Sequence, residues 1–228
     1  MVLKTFIKHY AGSSFPTLIE TESGSKHILK MRGAGNGSTS LLSEFISNKV
    51  ANKLKWSVPD VDWIYIPDNF PWIFGTDEFD DIVQKSYGWN LAAEYIPNAI
   101  QADLKFIETA DEDLLNRIYT LDLFFVNVDR TETSNNLLKD DRGQIWIIDH
   151  GSLGLFQSID ITRKELFNNH IFHKMLPNKE FVYDYMLNNN KLFLEVIDLI
   201  PDSIISEGGF TKETLYKRIA ERIKHLSK

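Results

Sequence analysis

The sequence predicts an α+β fold, with a strand-rich first part and a helical second part segregated along the chain rather than alternating as in a doubly wound sheet. Three observations predict it. Short β-like runs bounded by turn residues cluster in the first hundred residues, apolar residues recur at helical spacing through most of the rest, and a polar hairpin stands near the start of the helical part. The character changes near Pro97, so the 228 residues divide into a β-rich lobe, 1–97, and a helical lobe, 98–228. That length suffices for one large domain or two small lobes, each with its own core.

In order along the chain, Thr17–Thr21 and His27–Met31 flank Glu22-Ser23-Gly24-Ser25 and read as a hairpin. A Gly/Ser-rich stretch from Gly33 to Ser40 leads into a helix whose Leu41, Leu42, Phe45, Ile46, Val50 and Leu54 share one face, with Ser40 as its cap. Val61–Ile66 reads as a strand, and Leu91–Ile96 as an extended piece ending at Pro97. Beyond it, Asp111 caps a helix carrying Leu114, Leu115, Ile118 and Phe125. The polar hairpin pairs Asn136–Lys139 with Gln144–Ile148 across Asp140-Asp141-Arg142-Gly143. A regular last helix runs through Leu215, Ile219, Ile223 and Leu226.

Composition narrows the function classes. A net charge of −7 argues against general nucleic-acid binding, which needs many phosphate-neutralising cations, while leaving room for a compact anionic ligand such as a nucleotide. The local basic character of the last helix (Lys212, Lys217, Arg218, Arg222, Lys224, Lys228) reads as a solvated face. With no cysteine there is no disulfide framework or thiolate metal site. No stretch reaches the roughly 20 apolar residues of a membrane span, and the first ten residues lack a secretory signal, so a cytoplasmic protein is expected.

Three polar clusters are set among apolar segments: Asn127-Val128-Asp129-Arg130, then Asn135-Asn136, then Asp149-His150-Gly151. A hairpin returns its two ends to one place, so the Asn pair and Asp149 should lie together. Each of these residues alone would also fit a turn or a strand end. Together they match what phosphoryl transfer requires: one carboxylate to orient an attacking hydroxyl, and an Asn and a second Asp to hold Mg²⁺ against nucleotide phosphates. The order Asp, Asn, short hairpin, Asp-x-Gly is also that of the protein-kinase catalytic segment.

At these residues the chain resembles the HipA-like kinases. Asn127-Val128-Asp129-Arg130-Thr131, the Asn-Leu-Leu strand and Trp146-Ile147-Ile148-Asp149-His150-Gly151 are similar to that family's Asn-x-Asp-Arg-Thr, Asn-Pro-Asn-Leu-Leu and Trp-Leu-Ile-Asp-His-Gly. Leu29-Lys30, the Gly-rich linker and Leu42-Ser43-Glu44-Phe45 resemble its Val-Lys strand and following helix, and Gly12-Ser13-Ser14-Phe15-Pro16 its phosphate-covering turn. The matches span residues 12 to about 156.

The resemblance implies a two-lobed protein-kinase-like fold and an ATP- and Mg²⁺-dependent transfer of phosphate to a Ser or Thr hydroxyl of a protein substrate, or of the chain itself. Under it, Lys30 pairs with the α/β-phosphates and with Glu44, and Gly12, Ser13 and Ser14 present backbone N–H groups to the phosphates. Ala93-Glu94-Tyr95-Ile96 gives adenine its backbone contacts, chiefly through Glu94 and Ile96. Asp129 is the catalytic carboxylate and Asp149 binds Mg²⁺, with Gly151 allowing a sharp turn after it. One departure stands out: five residues after Asp129, where the family has its metal-binding Asn, is Ser134, with Asn135 and Asn136 next. Either Asn is then the metal ligand, and a nucleotide-binding pseudokinase is the alternative. A third reading, metal-dependent phosphoester hydrolysis, would leave Lys30 and Glu44 without a role. About twenty residues separate Asp149 from Asn168, too few for a long activation segment, so a restricted substrate set or self-phosphorylation (the Gly12–Ser14 turn being a candidate) is expected. His170-x-x-His173 has spacing that suits a metal but no carboxylate to complete the set, and reads as structural.

Overall fold

The computed structural model describes residues 1–12, 14–35, 37–71, 77–151, 153–157, 167–172 and 179–226. A five-stranded antiparallel sheet forms the first part: β1 (Leu3–His9), β2 (Thr17–Thr21), β3 (Lys26–Lys30), β4 (Val61–Ile66) and β5 (Gly88–Glu94), in the order β1-β2-β3-β5-β4. Two register shifts in β1 help curl the sheet. Met1 and Val2 lie beside β4, where Tyr65 N–H donates to the Met1 carbonyl at 3.0 Å. The expected β2–β3 hairpin forms, turning at Gly24 with φ +82°, a value that favours glycine.

Helix α1 (Gly37–Lys53) begins earlier than the sequence reading placed it. Gly37 takes φ +65° and its N–H donates to the Ala34 carbonyl, which lets the chain enter the helix three residues before Ser40. Ser40 is therefore inside the first turn, donating to the Gly37 carbonyl at 2.9 Å, and is not the cap. The helix buries residues on most of its circumference, among them Leu42, Phe45, Ile46 and Val50, because it is sandwiched between the sheet and the helical part. The Phe45 ring meets Trp63 of β4 at 4.7 Å between centroids. Two elements fall outside the sequence reading, β1 and α2 (Asp77–Lys85). The second packs Phe79, Ile82 and Val83 against Phe6, Ile64 and Phe70 on the other face of the sheet.

The second part opens with β6 (Ile100–Gln101), a short strand that joins β7 (Leu137–Lys139) and β8 (Ile145–Ile147) in a three-stranded sheet. Helix α3 (Glu112–Phe125) is capped by Asp111 as expected, its carboxylate accepting from Asp113 N–H at 3.0 Å. Such a cap is worth about 1 kcal/mol. The helix stops at Val126, whose left-handed φ of +54° sends the chain into the loop carrying Asp129. The β7–β8 turn is held by Asp140, whose carboxylate accepts from the backbone of Arg142 and Gln144 and from the Trp146 indole. Helices α4 (Lys179–Asn188), α5 (Asn190–Asp198), α6 (Asp202–Glu207) and α7 (Lys212–Leu226) complete the chain. The larger core joins α1 and α3 to α5, α6 and α7 and includes Trp63 and Leu91 from the sheet, so α1 belongs to both parts. Among the described residues no helix is long and apolar enough to cross a membrane.

Candidate active site

Lys30 ends β3, Glu44 projects from the second turn of α1, and Asp149 follows β8; three separate elements thus converge. The Lys30 ammonium lies 2.9 Å from Glu44 Oε1 and 2.8 Å from Asp149 Oδ1. Glu44 is 3% exposed, and its second oxygen accepts from His150 N–H at 2.5 Å. Ser43 donates to the His150 carbonyl at 3.0 Å, clipping α1 to the Asp149 segment from both sides. Burial opposes the charge on Lys30, but Asp149 and Glu44 together outweigh that cost and raise its pKa. Glu44 is pushed up, chiefly by its burial and also by the nearby Asp149 charge. Asp149, half-exposed, is held below the ordinary carboxylate range by the Lys30 ammonium. The sharp turn expected at Gly151 is made by Asp149 itself, at φ +61°.

These three residues border two adjoining cavities. The larger, about 430 Å³, is walled by Ile28, Ala93, Leu138 and Ile148 and reaches Ser14, Glu94, Ile96 and Asn136. Glu94 N–H is already committed to the Asp60 carbonyl at 2.7 Å, so a base would meet the carbonyl or side chain of Glu94 rather than its N–H. The smaller, about 120 Å³, adds Asp129, Gly151, Ser40 and the Ala34–Gly35 loop. Asp129 is exposed there. Gly12 takes φ +147° and its carbonyl accepts from Phe15 N–H at 3.1 Å, forming the turn above the cavity wall. Ser13 lies outside the described residues, as does His173.

The Asn pair separates cleanly. Asn135 is 2% exposed; its amide donates to the Ala102 carbonyl at 2.8 Å and accepts from Leu137 N–H at 3.1 Å. It is a structural turn residue, and the expectation that it might bind metal gives way because its amide already serves the backbone. Asn136 instead lines the larger cavity with Asp149. Ser134 donates to the Asn136 amide oxygen at 3.3 Å.

Beneath this loop is a cluster that the sequence reading missed. Asp122, inside α3, takes a forked pair of bonds from Arg130, Nε to Oδ2 at 2.6 Å and Nη2 to Oδ1 at 3.0 Å. Asn127 donates to Oδ1 at 3.0 Å, and His170 Nε2 lies 2.9 Å from Oδ2. Phe172 N–H donates to His170 Nδ1 at 3.1 Å, which assigns the proton to Nε2 and makes it the donor to Asp122. His170 is therefore structural, as expected. Although burial alone would raise it, the Arg130 charge and these bonds hold Asp122 far below the ordinary range. A lone acid in the apolar run Leu121-Asp122-Leu123-Phe124-Phe125 was the available signal, since a buried charge needs a partner.

The curled sheet, the helix that follows its Lys30 strand and the hairpin-borne Asp define a protein-kinase-like fold. Comparison with solved structures agrees. The chain is similar to the Helicobacter pylori proinflammatory kinase CtkA, with TM-score 0.55 and 16% identity over 97% of this chain and 94% of that one. It is also similar to the Golgi casein kinase, with TM-score 0.51 and 9% identity over 98% of this chain and 72% of that one. Comparison with curated protein sequences gives no match. A profile of the HipA-like kinases matches residues 2–200, and the chain belongs to that family of kinase-like phosphotransferases.

Whether the site suits Mg²⁺ rests on its donors. Among the described residues no three His, Cys, Asp or Glu side chains gather as a metal cage. The Asp149 carboxylate and the Asn136 amide oxygen share one cavity wall. Two hard oxygen donors beside space for phosphates suit Mg²⁺, which keeps several waters and binds through one or two carboxylates plus substrate phosphates.

Proposed function

We propose that this protein is an ATP-dependent kinase that transfers the γ-phosphoryl group to a Ser or Thr hydroxyl of a protein, a separate substrate or the chain itself. The observation that carries the reading is the convergence of Lys30, Glu44 and Asp149 from three elements onto cavities that also hold Asp129 and Asn136. Adenine would occupy the apolar end near Ile28, Ala93 and Ile96, with its phosphates toward Lys30 and the Ser14 turn. Glu44 holds the ammonium in place, so little reorganisation is needed when phosphate replaces Asp149 as its second partner. The acceptor oxygen attacks the γ-phosphorus, the bond to the β–γ bridging oxygen breaks with its electron pair leaving on ADP, and the hydroxyl proton passes to Asp129. Bound Mg²⁺, held by Asp149 and Asn136, would supply positive charge against the phosphates. The lack of cysteine suits a reducing cytoplasm.

The test is purified protein with labelled ATP and Mg²⁺, followed by mass spectrometry of the products. Asp129→Asn should lower transfer by about 100-fold or more, with folding intact because the side chain is exposed. A variant that labels as well as wild type would remove Asp129 from its role. Ser134, in place of the family's Asn, favours a second reading, a nucleotide-binding pseudokinase. Thermal stabilisation by nucleotide without any phosphorylated product would select it.

A further inference from the structure

Asn136 stands seven residues after Asp129, two beyond the position where the family keeps its Asn. We propose that Arg130, anchored by Asp122 and His170, is the positioning residue that holds Asn136 in the cavity as the metal-side amide and so offsets Ser134; this rests on the kinase reading above.

The Arg130 guanidinium is wholly buried and divided between two tasks. Nε and Nη2 grip Asp122, while Nη1 donates to two successive carbonyls, Asn135 at 2.9 Å and Asn136 at 2.7 Å. One donor reaching both carbonyls requires the backbone to bend between them, and Asn136 has the left-handed φ of +49° that this bend needs. Outside glycine that conformation is sparsely populated, though Asn tolerates it better than most residues. The bend sends consecutive side chains different ways, Asn135 into the protein and Asn136 onto the cavity wall. The Asn136 carbonyl also accepts from Ile148 N–H at 3.1 Å, which fixes Asn136 beside the residue preceding Asp149. His170 braces the anchor from the far side: its segment bridges to Thr131, and Ile171 N–H donates to the Arg130 carbonyl at 3.1 Å. Lysine could keep the charge at 130 but not the fork.

The test is Mn²⁺ binding followed by electron paramagnetic resonance, with a non-hydrolysable ATP analogue present, beside affinity for the same analogue in chelator. Arg130→Lys and Asn136→Gly, the second removing the amide while tolerating the positive φ, should each weaken Mn²⁺ binding about tenfold or more. Metal-free nucleotide affinity should be unchanged in both. A folded Arg130→Lys protein with wild-type Mn²⁺ affinity would overturn the proposal, and so would Asn136→Gly with wild-type affinity. If Arg130→Lys does not fold, His170→Asn, which removes one donor to Asp122, should weaken Mn²⁺ about threefold, and no change there overturns it equally. Wild-type protein that binds Mn²⁺ with nucleotide but transfers no phosphate defeats the kinase reading alone, because the titration still decides this one.

Discussion

Two ionic clusters lie on either side of the Asp129 loop, and they use similar residues to opposite ends. In the lower one, Asp122, Arg130 and His170 are fully enclosed, and every polar atom of the Asp122 carboxylate has partners. In the upper one, Lys30 faces two carboxylates, Glu44 buried and Asp149 half-exposed to a cavity. Enclosure and complete satisfaction make the first a fixed foundation. The second holds together without a ligand, yet one partner of its cation is on the cavity side and can be exchanged for phosphate. What separates framework from site here is whether the cluster is left open to a cavity, since burial and charge are present in both.

The largest effects should fall on different measurements. Asp122→Ala strands a buried guanidinium and should cost about 3–5 kcal/mol of stability, read by urea denaturation. Lys30→Met should instead act mainly on function, lowering phosphate transfer by about 100-fold or more, while Glu44 escapes much of the penalty by taking up a proton, toward which burial already pushes it. If Asp122→Ala unfolded as wild type does, or if Lys30→Met unfolded the protein as readily as Asp122→Ala, the division between foundation and site would fail.

The same contrast should appear as opposite pH responses. Asp122 is held below its ordinary value of 3.8, so its contribution is complete above that value and is lost as pH falls through it toward the lowered folded value. Glu44 is raised above its ordinary 4.5, so its contribution is complete below that value and is lost as pH rises through the folded pKa. In Lys30→Met, where the opposing cation is gone, stability should decline more steeply from about pH 5 to about pH 8 than in wild type. A flat difference between the two proteins over that window would mean that Glu44 stays ionised without Lys30.

How much of this was legible depended on the range of the interaction. Local chemistry was readable: the Gly24 turn, the Asp111 cap, the Asp140 turn and the order of Asp129, Asn136 and Asp149 all reside in short stretches. The Lys30–Glu44 pair was legible only through resemblance, since 14 residues and a loop separate its members. What escaped were features that tertiary contact decides. Strand β1 has no clean alternation because two register shifts interrupt it, and α2 forms where Phe79 and Ile82 find Phe6. The choice between Asn135 and Asn136 was not in the sequence either, because it is made by a guanidinium folded beneath both.

His150 offers the smallest and sharpest comparison, since it sits between the two clusters and belongs to neither. Its backbone is bound at both ends, to Glu44 and Ser43, yet its wholly buried ring has no hydrogen-bond partner for either nitrogen. Burial, and then the Arg130 charge, push its pKa down to about 3 from the ordinary 6.5. The unfolded chain therefore binds a proton below 6.5 that the folded protein refuses, so stability is complete above that value and falls as pH drops from there toward 3. His150→Phe keeps a ring of similar size and removes both unsatisfied nitrogens. It should stabilise the protein by about 1–2 kcal/mol at neutral pH, with the gain widening as pH falls below 6.5. Denaturant melts at several pH values read this directly. A gain that shrank on acidification would show that the imidazole is charged in the folded protein, and hence that the two clusters are joined through it.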